Sequence, residues 1–340
     1  MAPVMRPKYT LTKEKFPTYF GPLKSQPYSD SSSVSRALGG HHSLRAIAWN
    51  PLGSLVATGS VDKTLRVWNP EKPNIRFSTE LKGHSAPIEK IAFNPVKDAE
   101  LCSISNDGVV KFWDVRTKAS VNEVKGLGSA RSLAWAPDGS SLLVGNSHEI
   151  FNISPTQSTI ISSHQQPVET NQMAFCWGGK KVYIPSVEGK IRILSYPELD
   201  PIFHKNYTVD PGETSEFMLK GHTASCTTVE PSPTGKYLAT GGADSTISLF
   251  DTKDWICHRT ITRITGTVKS ISFTFDGSYV VGGCDEGSGL EVTHTESGEH
   301  VHTFKTAGPC EAVAWAPTKY CLAYGDVGVL RIIGLDGDRK

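Results

Sequence analysis

The sequence predicts an all-β protein folded as a single seven-bladed β-propeller, and two observations lead to this prediction. The first is an apolar run, often ending in an aromatic residue and leading into a turn, that recurs seven times. We call the last large residue of each run its anchor, and the anchors are Trp49, Phe93, Trp135, Phe175, Val229, Phe273 and Trp315. Their spacings are 44, 42, 40, 54, 44 and 42 residues. A period of about 40–45 residues is typical of a propeller blade made of four short strands.

The second observation is the residue that precedes each anchor, because it is small every time. These seven residues are Ala48, Ala92, Ala134, Ala174, Thr228, Ser272 and Ala314. A run that is apolar or small at both alternating positions indicates a strand buried on both faces. We therefore expect the anchor to fill the gap to one neighbouring blade, while the small residue lets the other blade approach.

The two ends of the chain predict how the ring closes. The last repeat has no room for a fourth strand after its first three, at 310–316, 319–325 and 329–335. A strand-capable run at 33–38 precedes the first repeat, and pairing it as the outer strand of the last blade would remove an open edge. The predicted propeller thus spans 33–336, between a flexible N-terminal arm at 1–32 and a short tail at 337–340.

The longest spacing predicts an insertion at about 197–217, between blades 4 and 5. Its prolines and a glycine indicate a loop. It is locally acidic, with Glu198, Asp200, Asp210, Glu213 and Glu216. Loops longer than the connection requires are often binding elements.

Composition excludes several functional classes. The 35 basic residues balance 34 acidic ones, so the chain has no global field that would attract nucleic acid or an anionic membrane. Seven scattered cysteines without a C-x-x-C pair favour a reducing compartment. No apolar stretch approaches the roughly 18 residues of a membrane span. We expect a soluble protein made in the cytosol, with no membrane partner.

Three repeats carry a motif that resembles the WD40 repeat. Each has an acid six residues before an aromatic residue, and a Gly-His pair further upstream. The residues are His41, Asp62 and Trp68 in blade 1, His84, Asp107 and Trp113 in blade 2, and His222, Asp244 and Phe250 in blade 5. The resemblance implies a structural role for them, in hydrogen bonds within the blade that include a strand hydroxyl, with Thr58, Ser103 and Thr240 as candidates.

The geometry of that family also places a candidate binding surface. The residue four positions before each anchor, together with Asn106, should face the narrow top of the ring. These residues are Arg45, Glu89, Asn106, Arg131, Asn171, Ser225, Lys269 and Glu311. Their charges alternate in sign, whereas a nucleic-acid track would be uniformly basic. We expect a surface that binds other proteins.

No motif predicts catalysis. The sequence lacks G-x-S-x-G, a P-loop, G-x-G-x-x-G and H-E-x-x-H. One local histidine cluster is present, at His294, His300 and His302, but no cysteine or carboxylate is obviously placed to complete a metal site. The sequence predicts a non-enzymatic protein with no cofactor, metal or small-molecule substrate.

Several segments narrow the resemblance. Ile193–Leu199 in blade 4, with 113–117, 135–139 and 235–244, is similar to the WD-repeat subunit family of the THO complex. This resemblance implies a scaffold in the nucleus, in the assembly that couples transcription to mRNA processing and export. The implied partners are other THO subunits, chiefly the large helical scaffold subunit, and indirectly an RNA helicase and the mRNA ribonucleoprotein.

Two alternatives remain open at this point. Trp113, Asp114 and Arg116 match a W-D-x-R box that resembles the docking signal of substrate receptors for cullin-4 ubiquitin ligases. The N-terminal arm interleaves basic and aromatic residues, which could stack on single-stranded RNA. Those residues are Arg6, Lys8, Lys13, Lys15 and Lys24 with Tyr9, Phe16, Tyr19 and Phe20.

Overall fold

A computed structural model describes residues 10–28, 44–169, 171–205 and 214–335. Seven four-stranded antiparallel sheets follow one another along these residues, which confirms the predicted seven-bladed propeller. Within the described part, helix is limited to α1 (Lys15–Phe20) and a 3₁₀ turn at Ile75–Phe77. The inner strand of each blade packs against that of the next, so the blades enclose a central channel.

The blades of the first half of the ring are regular. From inner to outer strand, blade 1 consists of β2 (Leu44–Trp49), β3 (Val56–Ser60), β4 (Leu65–Trp68) and β5 (Thr79–Leu81). Blade 2 consists of β6 (Ile88–Phe93), β7 (Glu100–Ser105), β8 (Val110–Asp114) and β9 (Ala119–Val124). Blade 3 consists of β10 (Ser132–Trp135), β11 (Leu142–Gly145), β12 (Glu149–Ser154) and β13 (Thr159–Gln165).

The second half contains the insertion and the closure. Blade 4 consists of β14 (Ala174–Phe175), β15 (Lys181–Pro185), β16 (Lys190–Ser195) and, after the insertion hairpin β17 (Phe203–Lys205) and β18 (Thr214–Glu216), β19 (Met218–Lys220). Blade 5 consists of β20 (Cys226–Pro231), β21 (Tyr237–Gly242), β22 (Ile247–Asp251) and β23 (Cys257–Ile261). Blade 6 consists of β24 (Val268–Phe273), β25 (Tyr279–Cys284), β26 (Gly289–His294) and β27 (His300–Lys305). Blade 7 consists of β28 (Val313–Trp315), β29 (Leu322–Asp326), β30 (Val329–Ile333) and, as its outer strand, β1 (Gln26–Tyr28).

The anchors join neighbouring blades. All seven are buried. The indole Nε1 of Trp49 donates to the carbonyl of Ala314 at 2.9 Å, and that of Trp135 donates to the carbonyl of Ala92 at 3.2 Å. Each acceptor is the small residue before the anchor of the preceding blade, so the small side chain is what allows the indole to reach the backbone. This is the inter-blade contact that the repeat predicts.

The ring closes through a strand other than the one predicted. The outer strand of blade 7 is β1, and Gln26, Pro27 and Tyr28 pair antiparallel with Ile332, Arg331 and Leu330. The prediction that 33–38 fills this place is wrong, and 33–38 lies outside the described residues. Closure by an N-terminal strand is itself confirmed. The prediction failed because Gln-Pro-Tyr has little strand propensity. Burial of its tyrosine outweighs that weak propensity and places the segment in the sheet.

Tyr28 fixes this strand to the first blade as well as the last. Its ring lies 5.9 Å from that of Trp68 in an edge-to-face arrangement, and its hydroxyl donates to the carbonyl of Pro70. The side chain is fully buried. One residue therefore connects the start of the chain to blades 7 and 1.

The prediction of a flexible arm at 1–32 is wrong for residues 10–28, which we call the N-terminal segment. Phe16 and Phe20 of α1 are fully buried in the core that blades 6 and 7 share. The ring of Phe16 lies 4.3 Å from that of Tyr279, and the ring of Phe20 lies 5.2 Å from that of Phe304. The backbone of Leu11 accepts from the hydroxyl of Tyr279 at 2.8 Å. The segment is part of the fold because these aromatic side chains bury large apolar surfaces.

The predicted insertion contains more structure than a loop. Its described residues form the hairpin of β17 and β18. Glu216 at the base of the hairpin accepts from Nε of Arg192 at 2.6 Å, and Nη1 of Arg192 donates to Gln166 at 2.5 Å. Arg192 is buried, so this ion pair holds the hairpin against blade 4. Asp210 and Glu213 lie outside the described residues.

We expect Phe20→Ala to lower the free energy of unfolding by about 3–5 kcal/mol, because it leaves a cavity in the shared core of blades 6 and 7. Urea unfolding of the full chain measures the change. Thr18→Ala is the control, because Thr18 is exposed on the same helix and should change stability little. Equal losses in both variants, or none in either, would contradict the docking of the N-terminal segment.

Candidate partner-binding surfaces

The antiparallel order of the strands defines two faces of the ring. In each blade the start of the inner strand lies at the same end as the turn between the second and third strands. We call this the top face. The turns between the first and second strands lie at the opposite end, with those between the third and fourth, and form the bottom face.

Charged residues on the top face are partly neutralised by their neighbours. Nη1 of Arg45 lies 3.6 Å from Oε2 of Glu89, which links blades 1 and 2. Nζ of Lys269 lies 3.2 Å from Oδ2 of Asp285. Exposed ion pairs of this kind contribute little to stability. Their effect is to leave the top face with charges of both signs.

The other residues predicted for the top face fall into two groups. Asn171 donates its amide to Ser225 at 3.1 Å and to the carbonyl of Cys226 at 2.8 Å, so it joins blades 4 and 5. Asn106 and Arg131 are exposed, and Glu311 is half-buried. The structure thus brings together two pairs among the eight predicted residues and distributes the rest around the ring.

Blade 2 contains a hydrogen-bonded chain built on a strand hydroxyl. Ser103 accepts from Nε1 of Trp113 at 2.8 Å and lies 2.6 Å from Nε2 of His84. Asp107 does not complete the chain, since it accepts from Ser85 and Ser105 instead, at 2.8 and 2.5 Å. Burial lowers the pKa of His84 to about 4, with a further contribution from the positive charge of Lys111. The histidine is therefore held neutral in the folded blade.

Blade 5 has the contact between histidine and acid that is missing from the hydrogen-bonded chain of blade 2. Nδ1 of His222 lies 3.0 Å from Oδ1 of Asp244, and Nε2 lies 2.8 Å from the hydroxyl of Thr240. Phe250 occupies the aromatic position but has no N–H to donate. Partial burial alone would raise the pKa of Asp244, but hydrogen bonds from the backbone N–H of Thr223 and from His222 outweigh it and lower that pKa.

Blade 1 shows the aromatic half of the network. Nε1 of Trp68 donates to the hydroxyl of Thr58 at 3.0 Å. Asp62 accepts from the backbone N–H and the hydroxyl of Thr64, at 3.0 and 2.6 Å, within the turn. His41 lies outside the described residues. The three repeats therefore have the hydroxyl in common and differ in which partners reach it.

The predicted adaptor box lies on the bottom face and divides into a buried and an exposed part. Trp113 is fully buried and belongs to the hydrogen-bonded chain of blade 2. Arg116 has 76% of its side chain exposed, and its Nη2 lies 3.0 Å from Oδ2 of Asp114. The aromatic and the acid of the box thus have structural partners within the blade, and Arg116 alone faces solvent.

The aromatic residues of the supposed RNA-binding arm are not available to nucleic acid bases. Phe16 and Phe20 are fully buried, and Tyr19 is half-buried against Tyr320. Lys13 forms an ion pair with Glu299 at 2.5 Å. Stacking on bases needs exposed rings. The described part of the arm therefore offers no such platform, and Arg6, Lys8 and Tyr9 lie outside the described residues.

The histidine cluster is divided among different partners. Nε2 of His300 lies 2.7 Å from Oε2 of Glu291, His294 bonds Ser297 at 3.0 Å, and His302 lies against Phe304 with 4.7 Å between ring centroids. Among the described residues, no group of three or more His, Cys, Asp or Glu could hold a metal ion. No helix in that part of the chain is long and apolar enough to cross a membrane.

Sequence reasoning missed a charged pair in the inner strands. Lys90 in β6 and Glu230 in β20 are each half-buried, and each affects the other's titration. Burial raises the pKa of Glu230 and the charge of Lys90 counteracts this shift, whereas burial lowers the pKa of Lys90 and the charges of Glu89 and Glu230 counteract that one. The signal was present in the sequence, because a charge in a run buried on both faces must point toward a neighbouring charge or the channel.

Sequence reasoning also missed the exposed apolar residues. Trp177 is 54% exposed in a turn of the bottom face, and its Nε1 donates to the carbonyl of Ser232 at 2.5 Å. On the outside of the ring, Ile160 and Ile161 of β13 are 42% and 59% exposed. From the sequence alone, an apolar residue in a strand is expected to be buried in the core. Only the tertiary structure shows that β13 is the edge strand of its sheet.

The WD domain, G-beta repeat model matches residues 32–69, 75–114 and 213–251, which are the repeats of blades 1, 2 and 5. The chain is 30% identical to THO complex subunit 3 of Arabidopsis thaliana, over 89% of this chain and 96% of that protein. It is 30% identical to WD repeat-containing protein AAC3 of Dictyostelium discoideum, over 87% of this chain and 64% of that protein. In fold it is similar to the crystal structure of the Cps50 (Swd1) β-propeller domain of Myceliophteria thermophila. That match has a TM-score of 0.74 and 16% identity, over 92% of this chain and all of the other.

We expect stability to depend on pH through His84. Because the folded chain lowers its pKa from 6.5 to about 4, the unfolded chain binds a proton in this window that the folded chain does not. The free energy of unfolding should therefore fall as the pH drops from 6.5 toward 4, by up to about 1.4 kcal/mol per pH unit from this group.

Urea unfolding at roughly pH 7, 6 and 5 measures this slope. In His84→Asn the slope should be shallower than in the wild-type chain. His164→Asn is the control, because His164 lies in an outer strand and has no buried hydroxyl partner among the described contacts. Parallel pH profiles for the wild-type chain and His84→Asn would show that the histidine is not held neutral.

Proposed function

The chain belongs to the THO complex subunit 3 family, and from this premise we propose that it is a non-enzymatic scaffold subunit of a nuclear THO assembly. The assembly would couple transcription to mRNA processing and export. The observation that carries the proposal is the extent of the similarity, which includes 96% of the length of the Arabidopsis protein. A match over 89% of this chain extends well beyond the three blades with a recognisable motif.

The chemistry of the described surfaces supports a binding role. The histidines of blades 2 and 5 contact strand hydroxyls, and the acids Asp107 and Asp244 accept from Ser105 and Thr223, so these groups are occupied within the blades. Those hydrogen bonds assign these residues to stabilising the fold rather than to chemistry on a ligand. A rigid ring instead offers preorganised faces, and preorganisation lowers the entropic cost of association.

The proposed partners are other THO subunits, chiefly the large helical scaffold subunit, with an RNA helicase and the mRNA ribonucleoprotein reached through them. The mixed charges of the top face favour a protein partner over RNA, since a nucleic-acid surface would be consistently basic. Burial of Phe16 and Phe20 removes the strongest support for direct RNA binding. Nuclear localisation follows from the proposed assembly.

Co-expression of the full chain with the large helical THO subunit tests the proposal, and we expect the two to co-elute in gel filtration. Arg116→Ala should leave this complex intact, because the arginine is exposed on the bottom face and pairs only with the neighbouring Asp114. Separate elution of the two proteins would contradict the scaffold role. Loss of a cullin-4 adaptor in Arg116→Ala, with no THO complex formed by the wild-type chain, would favour the ligase alternative.

We propose that the top face contributes to this complex and expect Arg131→Glu to weaken it about fivefold at low salt and less at high salt, since exposed charges are screened. Titration by fluorescence anisotropy measures both affinities. Lys253→Glu is the matched control, because Lys253 is exposed on the bottom face. An equal effect of the two reversals would indicate a general charge effect and remove the top face from the interface.

A further inference from the structure

Every blade ends in an outer strand whose second edge faces away from the sheet. Such an edge presents unpaired N–H and C=O groups and can pair with another chain unless it is short, charged, interrupted by proline or covered. The seven outer strands of this ring differ in these protections. Strand β1 has three residues including Pro27, and β5 and β19 have three residues each.

Of the four remaining outer strands, three either contain a charged residue or are covered by another element. Strand β9 contains Glu123, which pairs with Lys111 and Lys125 at 2.5 and 2.6 Å. Strand β23 presents exposed Arg259. Strand β27 is contacted by α1, and its Val301 packs against the core that holds Phe16 and Phe20.

Strand β13 has none of these protections. With seven residues, Thr-Ile-Ile-Ser-Ser-His-Gln, it is the longest outer strand among the described residues, and it contains no Asp, Glu, Lys, Arg or Pro. Ile160 and Ile161 are 42% and 59% exposed. A long, uncharged edge with exposed β-branched residues has the features that favour addition of another strand.

A bulge in β13 does not set it apart from the other edges. The register shifts so that Ile161 has no partner on β12, and equivalent shifts leave Val121, His258 and Val301 unpaired in β9, β23 and β27. The bulge is thus a common feature of the long outer strands. Beyond it, Ser162–Gln165 pairs regularly with Glu149–Asn152, which leaves four residues in regular strand geometry.

We propose that the edge of β13 is a docking site for an extended segment of a partner polypeptide, which adds a fifth strand to blade 3. Strand addition takes its affinity from main-chain hydrogen bonds and its specificity from alternate side chains. The segment should carry uncharged, β-branched or aromatic residues opposite Ile160 and Ile161, because a charge there would lose solvation without gaining a partner. This inference rests on the proposed function, since the segment would belong to another THO subunit.

A second copy of this chain fits the edge poorly. Antiparallel self-pairing centred on Ser162 places Ile160 opposite His164 and Ile161 opposite Ser163. A register that brings the two isoleucines together pairs only the four residues from Thr159 to Ser162. Neither arrangement buries the apolar residues along a full strand, so the geometry points to a different chain.

Hydrogen exchange measured by mass spectrometry tests the inference on the full chain, alone and in complex with the co-expressed large helical THO subunit. We expect amides of 159–165 to exchange at least tenfold more slowly in the complex. Ile161→Lys should weaken the complex at least tenfold. Ile256→Lys is the matched control, because Ile256 is also 59% exposed but lies in a turn of blade 5, and this change should alter the affinity less than twofold.

The outcomes separate this inference from the proposed function. If the complex forms but 159–165 stays unprotected, or if Ile161→Lys binds like the wild-type chain, the edge is not the site and the scaffold role stands. If no complex forms, both the docking inference and the proposed scaffold function are contradicted. Protection of 159–165 in the isolated chain that grows with its concentration would assign the edge to a second copy and overturn the proposed occupant. Unfolding curves of both lysine variants should match the wild-type chain, because both isoleucines are exposed.

Discussion

The ring depends on the contact that joins its first and last blades. A propeller is a row of sheets that packs only against neighbours, so without closure both terminal sheets would expose an apolar face and an open edge. Here β1 fills the outer position of blade 7, and Tyr28 reaches Trp68 and Pro70 of blade 1. The anchor Trp49 adds a second bond across the same junction, to the backbone of Ala314. Helix α1 of the same N-terminal segment packs one junction further along the ring, in the core that blades 6 and 7 share.

The hydrogen-bonded networks are distributed unevenly, and this bears on where function resides. Blades 1, 2 and 5 each hold part of the network that stabilises a WD repeat, whereas blades 3 and 4 are held mainly by apolar packing. Blade 4 accommodates the hairpin that Arg192 and Glu216 fix in place. Blade 3 presents the unprotected edge of β13. Two of the four blades without the recognisable repeat motif, blades 3 and 4, thus carry unusual surfaces.

The described surfaces favour protein partners for physical reasons. Buried aromatic residues in the N-terminal segment stabilise the ring and are unavailable for stacking on bases. Paired charges on the top face leave no consistent basic track, and Trp113 of the W-D-x-R box is fully enclosed by its blade. What remains exposed among the described residues includes mixed-charge rims, a few large apolar residues and the unprotected edge of β13. Those are the features from which specific protein interfaces are built.

The sequence by itself determined the number of blades, the position of each inner strand and the family, because a repeated period, a small residue before each anchor and the family's motifs are visible along the chain without knowledge of its tertiary contacts. It also indicated the hydroxyls that accept from Trp68 and Trp113. It misplaced the closing strand and took residues 10–28 for an arm, because nothing local in Gln-Pro-Tyr or in α1 shows that distant residues such as Leu330 and Phe304 will cover them. Only the tertiary structure decided which strands became edges, which charges found partners and which apolar residues stayed exposed. Each of these depends on neighbours that are far away in sequence, and burial against them overrides local propensity.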